Sequence, residues 1–340
     1  MTQRPTTESA VRRHSEPGPE PGLAELADTA NRIQAAIETV IEGKPDVIRL
    51  AITVLLAEGH LLIEDVPGVG KTMLAKSLAR SINCSVQRIQ FTPDLMPSDV
   101  IGVSVFNQET RDFEFKPGGV FANIVVGDEI NRASPKTQSA MLECMEERQV
   151  TVDGTTYELD APFMVIATQN PVEMEGTYPL PEAQRDRFMA RLEIGYPGEA
   201  DELDMIETHG GARALDQLDA VTDAAHVAKL VDIVRGIYVS PAVKTYCVSL
   251  ANATRRSGEL RLGASPRATL HLVRAAKAWA ALNDREYVLP DDIKQLLVPV
   301  FSHRLLPTAE AQIGRRDAAH IVTDIVARVS QPDADGAGAR

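Results

Sequence analysis

The run Val66-Pro67-Gly68-Val69-Gly70-Lys71-Thr72 restricts this chain more than any other feature, because of what stands on either side of it. Before it comes His60-Leu61-Leu62-Ile63-Glu64, a short apolar run ended by Pro67 and Gly68, which reads as a buried strand. After it, Lys71 to Ile82 has helical spacing, with Leu74 and Leu78 on the inner side. Strand, glycine loop and helix in that order are the context of a phosphate-binding loop. Glycine lets the backbone curl until successive N–H groups face one anion, and the helix N-terminus adds its partial positive charge. The backbone from Val66 to Met73 is then expected to cradle the phosphates of a nucleotide. Lys71 would neutralise the outer ones, and Thr72 would offer its hydroxyl to Mg2+. The strict pattern asks for glycine where Asp65 stands, a plain departure.

Two more strand ends carry polar groups suited to the same chemistry. Ile124-Val125-Val126-Gly127-Asp128-Glu129 reads as a buried strand that ends in two carboxylates. In a parallel sheet its carboxyl end lies beside the phosphate loop. Asp128 is placed to hold Mg2+, and Glu129 to orient and deprotonate an attacking water. Ala167-Thr168-Gln169-Asn170-Pro171 ends another apolar run, where Asn170 would hydrogen-bond the γ-phosphate or the water.

A chain of 340 residues is too long for one hydrophobic core, which predicts at least two domains. Residues 1–22 and 331–340 are polar and too poor in apolar groups to repay their ordering entropy. From 23 to 196 the pattern is α/β. Two helices broken at Gly43-Lys44-Pro45 precede apolar runs at His60–Glu64, Val86–Phe91, Ile124–Val126, Phe163–Ala167 and Leu192–Ile194. Short apolar strands alternating with helices predict a parallel sheet covered on both faces. Two hairpins interrupt it, one turning at Asp153-Gly154 and one between Val103–Phe106 and Phe113–Phe115. Residues 197–223 form an acidic connection, with eight carboxylates against Arg213 alone. From 224 to 330 the chain reads as all helix, with Ser240-Pro241 and Ser265-Pro266 each placing a cap residue before a first-turn proline.

Charge and composition exclude several classes. The net charge of -13 opposes non-specific binding to nucleic acid or an anionic membrane, and 4% aromatics leave few platforms for stacking bases. No run approaches the roughly 18 to 20 apolar residues of a membrane span. Cys84, Cys144 and Cys247 stand far apart with no CxxC pair, which fits a reducing, cytoplasmic setting. The seven histidines form no HExxH motif.

At the level of whole words the chain resembles the AAA+ ATPases, and within them the MoxR branch. The matching words are Gln90-Phe-Thr-Pro-Asp-Leu-Met-Pro-Ser-Asp99, Asp128-Glu-Ile-Asn-Arg-Ala133, Glu175-Gly-Thr-Tyr-Pro-Leu-Pro-Glu-Ala-Gln184, Asp186-Arg-Phe188 and Gly263-Ala-Ser-Pro-Arg-Ala268. Asp65, Gly127, Met174 and Arg185 depart from the branch's usual residues. The resemblance implies a P-loop α/β ATPase core followed by a small helical lid, assembled into a ring, usually a hexamer, with ATP between protomers. It implies that Asn170 is sensor 1, that Arg187 is an arginine finger acting on the neighbouring subunit, and that Arg267 is sensor 2, closing the lid onto ATP. Arg185 stands as a rival finger two residues away. Adenine would sit near Ile41, Glu42 and Gly43, and the two hairpins would face a pore. Related proteins are chaperone-like remodellers of a client enzyme, often working with a von Willebrand factor A domain partner.

Other readings share parts of this pattern. They are a nucleotide-gated scaffold with negligible turnover, a metal-chelatase motor subunit and a nucleic-acid motor. An intact Glu129 argues against the first, the lid sequence matches the second less well, and the acidic balance disfavours the third. The six cations from Arg255 to Lys277, against Glu259 alone, leave three options: a phosphate-facing and inter-subunit surface, a dock for an acidic partner, or a solvated face.

Overall fold

The computed structural model describes residues 22–66, 68–170, 178–199, 202–203 and 212–332. Residues 1–21 and 333–340 of the terminal segments expected to lack order, and residues 200–201 and 204–211 of the acidic connection, lie outside those residues.

Helices α1 (Leu23–Glu38) and α2 (Pro45–Leu56) are separated at Gly43-Lys44. Five parallel strands follow: β1 (Leu61–Glu64), β2 (Val86–Gln90), β5 (Ile124–Asp128), β8 (Met164–Gln169) and β9 (Ala190–Leu192), in the order β2-β5-β8-β1-β9. Parallel strands need crossovers. Here α3 (Lys71–Ser81) links β1 to β2, and α5 (Pro135–Glu147) lies between β5 and β8.

Alternation along the strands sorts the core into two layers. Leu61, Ile63, Ile124, Val126, Met164 and Ile166 face one apolar cluster, shared with α1, α2 and α3. Leu62, Val125, Val165 and Ala167 face the other, with Met141, Leu142 and Met145 of α5. Because the strands are parallel, their carboxyl ends share one edge. There Glu64 pairs with Gln169, and Gln90 with Asp128.

Three expectations are corrected. The run Val86–Phe91, read as an apolar strand of a sheet covered on both faces, is an edge strand: within β2 only Ile89 is buried, and Val86, Gln87, Arg88 and Gln90 are exposed. The last strand is Ala190–Leu192, two residues earlier than Leu192–Ile194, and pairs with β1 through Leu61↔Ala190 and Ile63↔Leu192. It ends there because the Asp65 carboxylate captures the N–H groups of Ile194 and Gly195, at 2.7 and 2.6 Å, and draws the chain out of the sheet. The third correction lies in the lid. It is not all helix, since β10 (Leu260–Leu262) pairs antiparallel with β11 (Leu306–Pro307), elements too short to show a period.

The lid helices are α8 (Ala224–Gly236), α9 (Pro241–Arg256), α10 (Pro266–Leu282), α11 (Pro290–Phe301) and α13 (Ala318–Arg328). Ser240 and Ser265 cap α9 and α10, accepting from the N–H groups of Val243 and Ala268. The first apolar cluster continues unbroken into the lid through Val227, Leu272, Leu296 and Ile325. The lid's cations divide accordingly. Arg255 donates to Ala264 O, Arg274 to Ala57 O and Glu58 O, Lys277 to Arg235 O, and Arg267 to Glu146. Four of the six are therefore engaged within the chain, and the solvated-face option holds only for Arg256 and Arg261.

Both expected hairpins form, as β3 (Gly102–Asn107) with β4 (Asp112–Pro117) and β6 (Gln149–Val152) with β7 (Thr155–Glu158). Phe115 stacks on Tyr157 at 4.0 Å between centroids and joins the two. Among the described residues, no helix is long and apolar enough to cross a membrane.

Candidate active site

The loop between β1 and α3 is held in shape by two glycines with left-handed backbones, Gly68 at φ 87° and Gly70 at φ 92°. A Cβ would meet nothing at either position, so conformation rather than space requires glycine there. Lys71 opens the helix. Its Nζ donates to the carbonyls of Asp65 and Gln169, the latter at 3.2 Å, and so ties the loop to the end of β8. Burial draws the pKa of this ammonium down, against the pull of Asp65, Asp128 and Glu129.

The end of β5 supplies the two carboxylates. Asp128 is buried, with Thr72 Oγ1 at 3.4 Å and Thr168 Oγ1 at 3.2 Å from its oxygens. Arg88 Nε forms an ion pair with it at 2.6 Å. Glu129 sits at φ 57°, a strained turn for a glutamate, and its N–H donates to Thr168 Oγ1 at 3.0 Å. Its carboxylate accepts from Gln90 Nε2 at 2.9 Å and lies 3.2 Å from Arg132 Nε. Together Gly68, Lys71, Thr72, Asp128, Glu129 and Asn170 line a cleft of about 230 Å³, with Gly70 and Met73 completing its loop side. A larger concavity of about 530 Å³ lies between α10 and Glu58, but it has neither a glycine loop nor paired carboxylates.

Thr72 Oγ1 and Asp128 Oδ2 are hard oxygen donors converging on this cleft, a set that fits Mg2+, which keeps several of its waters and takes few protein ligands. Among the described residues no three His, Cys, Asp or Glu side chains cluster as a full metal cage.

Other expected residues lie elsewhere. Pro67 and residues 171–177 are outside the described residues. The N–H of Val66 is taken by Asp65 Oδ1 at 2.8 Å, and Val69 packs partly buried against the core. Ile41, Glu42 and Gly43 form the turn between α1 and α2 and line no part of the cleft. Arg187 follows the short helix α6 (Glu182–Arg185), and its side chain has no ion pair or hydrogen bond among the described residues. The nearby Arg185 has its Nε buried without a hydrogen-bond partner among the described residues. Arg267 does not close the lid onto its own chain's cleft. It pairs with Glu146 at 2.9 Å and lies 3.8 Å from Asp186, because α10 packs beside the segment that follows α6 instead.

Four polar groups of the site escaped the sequence reading: Arg88, Gln90, Arg132 and Thr168. The polar positions of Val86–Gln90 carried a signal, since a buried strand has no use for an arginine and two glutamines.

Asp65 is the clearest revision. It is not a flaw in the loop but its anchor, since its carboxylate accepts from the N–H groups of Val66, Ile194 and Gly195. Asp65→Ala leaves those donors unmet and is expected to cost about 2–4 kcal/mol of stability. The same change should weaken nucleotide binding as the loop loosens. Thermal unfolding and a nucleotide titration check the two effects, and unchanged values in both would refute the anchoring role.

Comparison with known proteins agrees with this geometry. Residues 60–190 match the ATPase family associated with various cellular activities (AAA), and residues 252–325 match the AAA lid domain. The Bacillus subtilis protein YeaC is 48% identical over 87% of this chain and 92% of its own length. Chaperone MoxR1 of Mycobacterium tuberculosis is 37% identical over 97% of this chain and 90% of its own. Protein MoxR of Methylorubrum extorquens is 31% identical over 90% and 95%. A solved Cytophaga hutchinsonii structure assigned to the ATPases superposes with a TM-score of 0.85 at 37% identity, covering 92% of this chain and 97% of that one.

Proposed function

We propose that this chain, which belongs to the MoxR family of AAA+ ATPases, hydrolyses ATP at sites shared between neighbouring protomers of a ring and couples the cycle to remodelling a protein client. The observation that carries this reading is the division of charged groups. The glycine loop, Asp128 and Glu129 line one cleft, while Arg187 lies outside it, with no partner among the described residues, next in the chain to Asp186, which is 3.8 Å from Arg267. A single chain thus offers a nucleotide cleft and, elsewhere, the arginines to complete another chain's cleft.

Within the cleft, Thr72 and Asp128 would hold Mg2+, which when bound offsets charge on the β- and γ-phosphates. Lys71 would leave the carbonyls of Asp65 and Gln169 for the outer phosphates. Glu129 would take a proton from the attacking water, and Asn170 would orient that water or the γ-phosphate. Arg187 and Arg267 would meet the same γ-phosphate from the neighbouring protomer, so Arg267 acts across the interface rather than on its own chain. Adenine is assigned to the turn at Ile41, Glu42 and Gly43. A hexameric ring, a von Willebrand factor A domain partner and a client enzyme receiving a cofactor complete the proposal. The name of the mycobacterial relative, a chaperone, supports the remodelling role.

Steady-state phosphate release tests it. The purified chain should turn over ATP only with Mg2+ and only under conditions where it assembles, with no stimulation by added DNA at low salt. ATP binding without turnover in any assembly state would reduce the protein to a nucleotide-gated scaffold.

A further inference from the structure

We propose that Arg304 is a positioning residue for Arg187: from the lid it grips the backbone on both sides of Arg187 and so sets where that side chain meets the neighbouring protomer. The inference rests on the reading above, that Arg187 acts in trans.

Arg187 has little of its own to hold it. The helix before it, α6, is one turn long and contains no buried residue. A free arginine on a loose turn samples many positions, and catalysis by a pre-placed charge requires few. What surrounds it is fixed instead. Arg304, buried to 4% exposure, donates from Nη2 to the carbonyl of Asp186 at 3.0 Å and to that of Phe188 at 2.6 Å. Its Nε lies 3.0 Å from Asp186 Oδ1, an ion pair not aligned as a hydrogen bond, and its Nη1 donates to Val300 O at 2.7 Å. The imidazole of His303 shares the Phe188 carbonyl, with Nε2 at 3.0 Å. Both neighbours of Arg187 are therefore pinned by the lid, while the half-buried Arg187 between them has no side-chain partner among the described residues.

Only a planar fork of donors spans these acceptors at once, so lysine is no substitute. Nη2 also lies 2.6 Å from His271 Nδ1, so its two N–H groups are shared among three acceptors. Burial and the adjacent cations hold the His271 pKa down to about 2, so it accepts as a neutral ring instead of repelling Arg304. His271 stands four residues after Arg267 on α10, and Ser265 at the start of that helix donates to both Asp186 oxygens, at 2.7 and 2.9 Å. One network thus carries both arginines assigned to the neighbour's site.

A positioning role predicts a defect on one side of the interface only. Arg304→Gln should lower kcat on the order of 10²-fold with KM for ATP nearly unchanged, because its own cleft is intact. Mixtures with subunit exchange confirmed separate this from general damage. Mixed with Glu129→Gln, Arg304→Gln should gain activity above either parent. Mixed with Arg187→Ala it should gain none, because both variants lack a competent finger. A gain with Arg187→Ala, or an unchanged kcat, would overturn the proposal. If Glu129→Gln and Arg187→Ala themselves fail to complement each other, the trans reading falls and this proposal with it. Should Arg304→Gln lack a cooperative unfolding transition, His271→Leu decides. It removes one acceptor and keeps the Arg304–Asp186 pair, so the same pattern is expected in weaker form, with His271→Asn restoring activity; absence of that pattern would overturn the proposal.

Discussion

Glu129→Gln should bind ATP and fail to turn it over. The substitution keeps the shape of the side chain and removes the one carboxylate in the cleft that is not committed to Thr72 and Thr168. Glutamine still accepts from Gln90 and loses mainly the attraction of Arg132, a half-exposed pair whose loss costs stability little. Removing a general base lowers rates by about 10²- to 10⁴-fold, which is roughly 3 to 5 kcal/mol of barrier. Lys71→Ala should fail differently, losing nucleotide binding itself, because the outer phosphates lose their one lysine while Glu129 is untouched. A fluorescent-nucleotide titration beside a phosphate-release assay separates the two. If both variants lost binding, or both kept it, the division between binding and chemistry drawn here would be wrong.

The parts of the site that were legible in the sequence are those that topology brings together. Lys71, Asp128 and Asn170 lie far apart in the chain, yet each follows a strand, and parallel strands deliver their carboxyl ends to one edge. What was not legible depends on pairings between segments. Asp65 looked like a missing glycine because the groups it serves, the N–H groups of Ile194 and Gly195, lie well over a hundred residues on. That same capture ends β9 early, so one unseen contact explains two misreadings. Arg88 and Gln90 sit in a run read as one strand of a covered sheet, and their polarity was the sign that β2 is the sheet's edge. His60 and His303 are structural. Both are buried, with ring nitrogens on backbone partners, and burial takes the His60 pKa down to about 4. Arg304 gave no signal at all, since a single arginine in a lid helix turn is indistinguishable by sequence from a solvated one.

Arg187→Ala should leave ATP bound nearly as in the parent and almost stop hydrolysis. The side chain contributes nothing to its own chain's cleft and has no partner among the described residues, so little is lost in folding or in binding. What it would contribute is charge at the neighbour's γ-phosphate. An arginine finger is worth about 10³ to 10⁵ in rate, or about 4 to 7 kcal/mol. Arg185→Ala should be milder, because the Arg185 Nε is buried and does not face outward. Splitting each site between two chains has a consequence that no single-chain mechanism shares. Equal amounts of Glu129→Gln and Arg187→Ala, each inactive alone, form rings in which about one interface in four joins an intact Glu129 to an intact Arg187. Activity should therefore rise from near zero to a maximum near equal proportions and fall again on either side. With exchange of subunits verified, a mixture that stays inactive at every ratio would sink the trans assignment, and complementation by Arg185→Ala in place of Arg187→Ala would move the finger two residues along the chain.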